Sequence, residues 1–274
     1  MKNVIKKEYF NQLLKEGKLK FNKDFETTIK GTQYAKEFQK PENLIYKIKR
    51  GFGNFLNKQS LLLNTYKYPN ELMFLLSKII EHSPVSNTFI VGGAIRDIIL
   101  NKEPKDYDIV TDVPYNTLKE IFSDYPKKEV GEHFKVLMLK IDNMQFEIAN
   151  FRKDIYIAKS GKGADRVEIG TIDDDKQRRD FDVNCLYFNP NTGTLIDGNG
   201  TGLKSLFNKE FRFVGNPDDR INEDVLRLLR VAKLKKKGLS PSRSVMQAFR
   251  RNFHKLCLYG KPERIREHIE DLLF

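Results

Sequence analysis

Cysteine is scarce in this chain. Two residues in 274, Cys185 and Cys257, form no redox or metal-binding spacing, which excludes a disulfide-stapled scaffold and suits a reducing, cytoplasmic location. Histidine is nearly as rare. His82, His133, His254 and His268 show no HExxH or paired-ligand pattern, so no histidine metal centre is expected. No run of about 18 apolar residues occurs, and no membrane-spanning helix is expected. The opening MKNVIKKEYFNQLLKEGKLK is basic but broken by charges, without the apolar centre of a signal peptide. Internal repeats and low-complexity tracts are missing as well. The last deficit is in acidic residues. Asp and Glu number 37 against 49 Lys and Arg, a net charge of +12, with a pI near 9.4. That balance implies a polyanionic partner, nucleic acid or an anionic surface. The length suffices for one sizeable core or two small domains.

The densest chemistry lies in Thr88 to Asp112, TFIVGGAIRDIILNKEPKDYDIVTD. Four residues of strand character, Thr88 to Val91, end at Gly92 and Gly93. A strand that ends in two glycines at a helix start lets backbone N–H groups approach an anion. Arg96, one turn into that helix, is placed to reach the same anion. Asp106 and Asp108 follow at the entry to a second strand, Ile109 to Thr111, and alternation puts both on one face. Paired carboxylates repel unless a cation sits between them, and Mg²⁺ with substrate phosphates is the usual guest. Singly, a Gly-Gly is a turn and an Asp-x-Asp a solvated loop. In this order they suggest a nucleoside triphosphate site.

GGAIRD followed by DYD resembles the first motif of the class II CCA-adding enzymes and bacterial poly(A) polymerases, of the polymerase β-type nucleotidyltransferase superfamily. Three later stretches continue the resemblance. FEIANFR is similar to the family strand E-[IV]-x-x-FR, so Glu147 maps to an accessory acidic residue and Arg152 to the arginine after it. QRRDFDVNCL resembles the second motif, with Arg178, Arg179, Asp180 and Asn184 suited to a triphosphate and a ribose. NEDVLRLLR resembles the fourth, ED-x-x-R-x-x-R, giving Glu223, Asp224, Arg227 and Arg230. On a helix spanning Asn222 to Leu234 these fall on adjoining faces, and in the family the Asp–Arg pair reads the base edge. A further family arginine is Lys233 here. The third motif departs from the pattern: in GLKSL, Ser205 replaces an aspartate, and one residue is inserted after Asp197. That change bears on a head–neck hinge rather than on chemistry.

The remaining segments frame these motifs. Residues 1–70 hold fifteen Lys and Arg against six Asp and Glu, interleaved with aromatics such as Phe10, Phe21, Tyr34 and Phe52. This extension either binds RNA or docks by its aromatics with a solvated basic face. Helical periodicity is visible at Val4 to Leu14 and Asn43 to Ile48. Asn70 to His82 is an amphipathic helix with Asn70 as its cap, and Pro114 to Phe122 a second helix. Phe134 to Ile141 and Met144 to Ala149 form a hairpin. Lys153 to Asp175, with Ser160-Gly161-Lys162-Gly163, is a flexible loop that lacks the P-loop pattern; in the family such a loop influences nucleotide choice. Lys233 to Arg266 carries eleven Lys and Arg but one acidic residue, on two helices from Pro241 to Leu258 and Pro262 to Leu273. Their basic surface is suited to RNA phosphates.

The expected fold is α+β: a polymerase β-like nucleotidyltransferase head of mixed β-sheet with flanking helices (71–210), then an α-helical neck (211–274), preceded by a basic helical extension (1–70). The resemblance implies transfer of CMP or AMP from CTP and ATP to an RNA 3′ end, with tRNA CCA or terminal-A addition favoured. Asp106, Asp108 and Glu147 would hold two Mg²⁺ ions, and no membrane partner is expected. Poly(A) addition is the alternative. Bacterial poly(A) polymerases tend to carry a GRRF-x-[LV]-x-H stretch where this chain reads GEHFKVLM, which favours the tRNA enzymes. A non-catalytic RNA-binding protein on the same scaffold is a second alternative, opposed by the intact carboxylates. The body and tail domains of typical CCA-adding enzymes are expected to be absent or replaced.

Overall fold

The computed structural model describes residues 44–130, 136–157 and 161–273. The expected helix at Val4 to Leu14, most of the basic aromatic segment, and Gly131 to Phe134 lie outside the described residues.

The chain enters on α1 (Leu44–Thr65) and α2 (Asn70–His82). Leu72, Leu75, Leu76 and Ile79 make the buried stripe of α2, the i, i+3, i+4, i+7 spacing of one helical face. Its cap differs from expectation: Pro69 holds the N-cap position, without a side-chain cap. The fixed φ of proline suits an entry turn, and Asn70 becomes the first helical residue. Next come β1 (Thr88–Val91), α3 (Gly93–Ile99), β2 (Asp108–Thr111), α4 (Tyr115–Ile121), β3 (Lys127–Val130), β4 (Val136–Ile141) and β5 (Met144–Asn150). The β4–β5 turn uses Asp142 at φ 48°, a left-handed position that Asp tolerates.

Lys153 to Asp175 is not a loop throughout. β6 (Arg152–Ile155) and β7 (Arg166–Ile169) pair antiparallel, and α5 (Ile172–Arg178) follows behind a Thr171/Asp174 capping box. The sheet then gains β8 (Leu186–Asn189) and β9 (Thr194–Asp197) before α6 (Gly202–Phe207). The neck comprises β10 (Glu210–Phe211), α7 (Pro217–Glu223), α8 (Arg227–Lys236), β11 (Ser240–Pro241), α9 (Arg243–Asn252), α10 (Lys255–Tyr259) and α11 (Pro262–Leu273). The helix expected from Pro241 to Leu258 is thus divided. Pro241 sits in a strand paired to Phe211, and the helix starts behind Ser242, whose hydroxyl accepts from the Val245 N–H.

The main sheet has seven strands in the order β3-β4-β5-β2-β1-β8-β9. β2 and β5 are parallel, and the other neighbours antiparallel. Strand alternation separates two apolar layers. Ile90, Ile109 and Ile148 face the larger cluster, with Leu72, Ile95 and Leu118 from the helices. Phe89, Val91 and Val110 face a smaller cluster with Phe151, Cys185 and Tyr187. The larger cluster also takes in Leu56 and Leu63 of α1 and Ile221, Leu228 and Leu256 of the neck. The larger cluster thus draws residues from both sides of positions 70 and 210.

Candidate active site

The parallel β2–β5 pairing sets Asp108 beside Glu147. Asp108 precedes Val110 by two residues, and Glu147 alternates with Phe146 and Ile148, so both lie on the face away from the large helical layer. Asp106 lies before the strand begins and is exposed. All three carboxylates nevertheless line one cavity of about 350 Å³. Burial pushes the Asp108 carboxyl up to about 6, helped by Asp106 and Glu147 and opposed by Arg179 and Arg178. A cation would offset both the burial of the charge and the repulsion from its neighbours, and all-oxygen donors fit a hard divalent ion. Among the described residues no three acidic, histidine or cysteine side chains converge as a ready-made metal cluster. The donor set fits; a complete coordination sphere is not preassembled.

A second cavity, about 290 Å³, holds the guanidinium groups. It is lined by the cations Arg152, Lys162, Arg178, Arg179, Arg227, Arg230 and Arg264, against Asp154, Asp180 and Asp224. Seven cations facing three carboxylates make an anion site, and forked guanidiniums suit phosphate. The pull of Arg179 and Arg178 on Asp108 places this site within electrostatic reach of the carboxylate cavity. Asp154, Tyr156, Lys162 and Arg264 are not expected from sequence. The first two carry a usable signal: with Arg152 they alternate along β6 and its extension, and Tyr156 donates to Asp154 at 3.3 Å.

Asp175 organises the arginines of the second motif. It is fully buried. It pairs with Arg178 at 2.6 Å and Arg179 at 2.7 Å and accepts from the Tyr187 hydroxyl at 2.7 Å. Arg179 also lies over the Tyr187 ring, 5.5 Å from its centre. Burial alone would raise the Asp175 carboxyl, but the two guanidiniums and the Tyr187 bond outweigh it and hold it at about 2. Asp180 lines the cavity; its Oδ1 accepts from Phe181 N–H and Asn184 Nδ2. Asn184 does not line the cavity. Its Oδ1 accepts from Arg96 Nη1, and Arg96 is in turn paired with Asp97 at 2.8 Å. Arg96 is thus buried inside a polar network rather than lining the anion cavity. Gly92 needs its φ of 75°, but its N–H is spent on the Leu186 carbonyl at 3.0 Å. Gly92 and Gly93 shape the turn and line neither cavity.

The fourth motif is not one helix. α7 ends at Glu223, Asp224 is extended, and α8 starts at Arg227. Two contacts break the helix. The Asp224 carboxylate accepts the Leu226 N–H at 3.0 Å, a local bond that competes with helix. The segment 161–163 bridges it, with Gly163 N–H to Glu223 O and Val225 N–H to Gly161 O, both 2.9 Å. The expected Asp224–Arg227 pair gives way to other partners: Asp224 binds Arg230 at 3.2 Å, and Arg227 binds Glu223 at 2.7 Å. Asp224, Arg227 and Arg230 line the cavity; Glu223 does not. Lys233 bonds His268 at 2.8 Å, away from the cavity lining. Ser205, in place of the family aspartate, is buried and bonds Asp182.

Residues 88–212 match the family model described as "Poly A polymerase head domain". Poly(A) polymerase I of Haemophilus influenzae is 36% identical over 151 residues, covering 52% of this chain and 33% of that protein. The CCA-adding enzyme of Enterococcus faecalis is 36% identical over 143 residues, covering 52% and 34%. The solved CCA-adding enzyme of Bacillus stearothermophilus in complex with CTP superposes with a TM-score of 0.64 at 25% identity, over 76% of this chain and 49% of that one. The chain therefore spans about a third of the length of these curated relatives. Within that span, residues 88–212 match the poly(A) polymerase head domain, and the chain is similar to CCA-adding enzymes and bacterial poly(A) polymerases alike.

Proposed function

We propose that the chain is a template-independent RNA nucleotidyltransferase that adds CMP or AMP to an RNA 3′ end, with tRNA CCA or terminal-A addition as the reaction. The observation that carries this reading is the adjacency of the two cavities. Asp106, Asp108 and Glu147 line one, and the other is lined by guanidiniums, Arg227 among them, together with Asp224. The RNA 3′ oxygen forms a bond to the α-phosphorus, the bond to the bridging oxygen breaks, and pyrophosphate leaves. Arg152, Arg178 and Arg179 hold the triphosphate. Asp180 accepts from the ribose, with Asn184 orienting it. Asp224, Arg227 and Arg230 offer acceptors and donors to the base edges of C and A. Asp106, Asp108 and Glu147 would hold two Mg²⁺ ions, which when bound lower the pKa of the attacking hydroxyl and neutralise the leaving group. CTP, ATP and a tRNA 3′ end are the proposed partners, in the cytoplasm. No helix among the described residues is long and apolar enough to cross a membrane.

Poly(A) addition is a second reading, because relatives of both names match at 36% identity. Incorporation of each labelled triphosphate into tRNA lacking its CCA end and into unstructured RNA separates the two. The tRNA reading expects short C and A additions on tRNA; long A tracts on both RNAs would replace it with poly(A) addition. Asp108→Ala should abolish incorporation while the protein stays folded, because a carboxylate at the β2–β5 junction has no substitute. A folded Asp108→Ala protein with near-normal incorporation would refute the carboxylate assignment.

A further inference from the structure

Arg220 belongs to none of the nucleotide-contacting positions, lines neither cavity, and is 7% exposed. Its Nη2 donates to the carbonyls of Arg178 at 2.5 Å and Arg179 at 2.8 Å. Its Nη1 pairs with Glu223 Oε2 at 2.6 Å. That same carboxylate oxygen takes Arg227 Nη1 at 2.7 Å, and Arg227 Nη1 also donates to the Arg220 carbonyl at 2.6 Å. One buried guanidinium thus touches the end of α5, which carries Arg178 and Arg179, and through Glu223 the start of α8, which carries Arg227. The carbonyls it binds are at the C-terminal end of α5, where backbone acceptors lack helical partners and a cation is favoured.

Two guanidiniums on one part-buried carboxylate form a costly arrangement, because each ion must be largely desolvated. Apolar packing would stabilise the α5–α8 junction at least as well. A planar fork does something that apolar packing does not: it fixes direction and distance between the groups it joins. On the nucleotidyltransferase reading, Arg178 and Arg179 take the phosphate end of the nucleotide and Arg227 the base end. Their separation must match a nucleotide to within a fraction of an ångström for both ends to bind together.

We infer that Arg220 and Glu223 are positioning residues that set the distance between the triphosphate arginines and the base-reading Arg227. The inference rests on the nucleotidyltransferase reading of this cavity. Arg220→Lys keeps the charge but supplies a point donor that cannot span two carbonyls and Glu223. Glu223→Gln keeps the shape and weakens the hold on both guanidiniums. For both variants the expected result is a KM for CTP and ATP at least tenfold higher, with a rise in GTP and UTP incorporation relative to CTP and ATP.

The measurement is competition among four triphosphates on one RNA primer, with thermal unfolding of each variant alongside. A purely structural role lowers the melting temperature and the amount of active enzyme but leaves triphosphate preference and KM at wild-type values; that result in either folded variant would overturn the inference. Should Arg220→Lys not fold, Glu223→Gln decides alone, since it changes one atom. Failure of the wild-type protein to incorporate any triphosphate would instead refute the nucleotidyltransferase reading.

Discussion

Asp175 keeps its charge at full burial because the second motif depends on it. Its carboxylate is the shared partner of Arg178, Arg179 and the Tyr187 hydroxyl, so removing it would leave two arginines facing Arg152 without compensation. Asp175→Asn should destabilise the protein by about 3 kcal/mol at pH 7, the scale for breaking a buried pair. The pH dependence has a definite sign. The folded carboxyl, at about 2, lies below its ordinary 3.8, so the unfolded chain takes up its proton first as pH falls. The stabilisation is therefore complete above about pH 5 and is lost progressively as pH falls toward 1, by roughly 2–3 kcal/mol in all. Urea unfolding at pH 7, 4 and 2.5 should show this loss in the wild type and a flatter profile in Asp175→Asn. Equal profiles would mean that the ion triad does not hold the carboxyl down. Arg178 and Arg179 stand out in the sequence through their motif and do line the cavity, but Asp175 does not stand out, because an aspartate in the run IDDDKQRR looks like a solvated helix start. Its burial is set by Tyr187, a tertiary neighbour twelve residues on.

At the scale of elements, legibility depends on whether an element's reasons are local. The α2 helix is visible because its apolar spacing records the face it buries. The β4–β5 hairpin is visible from alternation around Asp142-Asn143. The β6–β7 hairpin is not: Arg152 to Ile155 reads RKDI, with one apolar residue and a face turned to a polar cavity. The break at Asp224 is not legible either, because NEDVLRLLR has helical spacing throughout and its interruption comes from the bridge to Gly161 and Gly163. Gly161 has φ 74°, and a Cβ there would lie 2.8 Å from Val225 Cγ1 and 3.3 Å from Tyr259 Cβ. Gly161→Ala should therefore lift the 161–163 segment from Asp224, costing about 1–2 kcal/mol of local stability for the left-handed backbone plus the overlap. Hydrogen exchange at the Gly163 and Val225 amides, which donate across this bridge, should accelerate about tenfold or more. Unchanged protection of both amides would show that the bridge survives and that the break in the fourth motif has another cause.

Among the described residues the main apolar cluster runs from α1 through the sheet to the neck, and this changes what the basic N-terminal region can be asked to do. Charge counting treats residues 1–70 as a detachable arm, yet Leu56 and Leu63 of α1 are 1% and 0% exposed in the main cluster, and the Phe55 and Phe207 rings meet at 5.3 Å between centroids. Two fully buried leucines alone contribute roughly 3–6 kcal/mol, a large share of a typical domain's net stability. Removing residues 1–70 should therefore lower the melting temperature sharply or abolish folding, and any fall in RNA binding by that variant would be uninformative. Removing residues 1–43 spares the described core. It deletes ten Lys and Arg and six Asp and Glu. If those cations sit on RNA phosphates, the slope of log affinity against log salt should flatten by about 0.7 for each single-strand phosphate no longer neutralised, while triphosphate KM stays near the wild-type value. Fluorescence titration of a labelled RNA at three or four salt concentrations, on wild type and on the 1–43 deletion, measures this directly. An unchanged slope would assign the salt-dependent binding to the basic helices of the neck, where Lys233 to Arg266 concentrates eleven cations against one carboxylate.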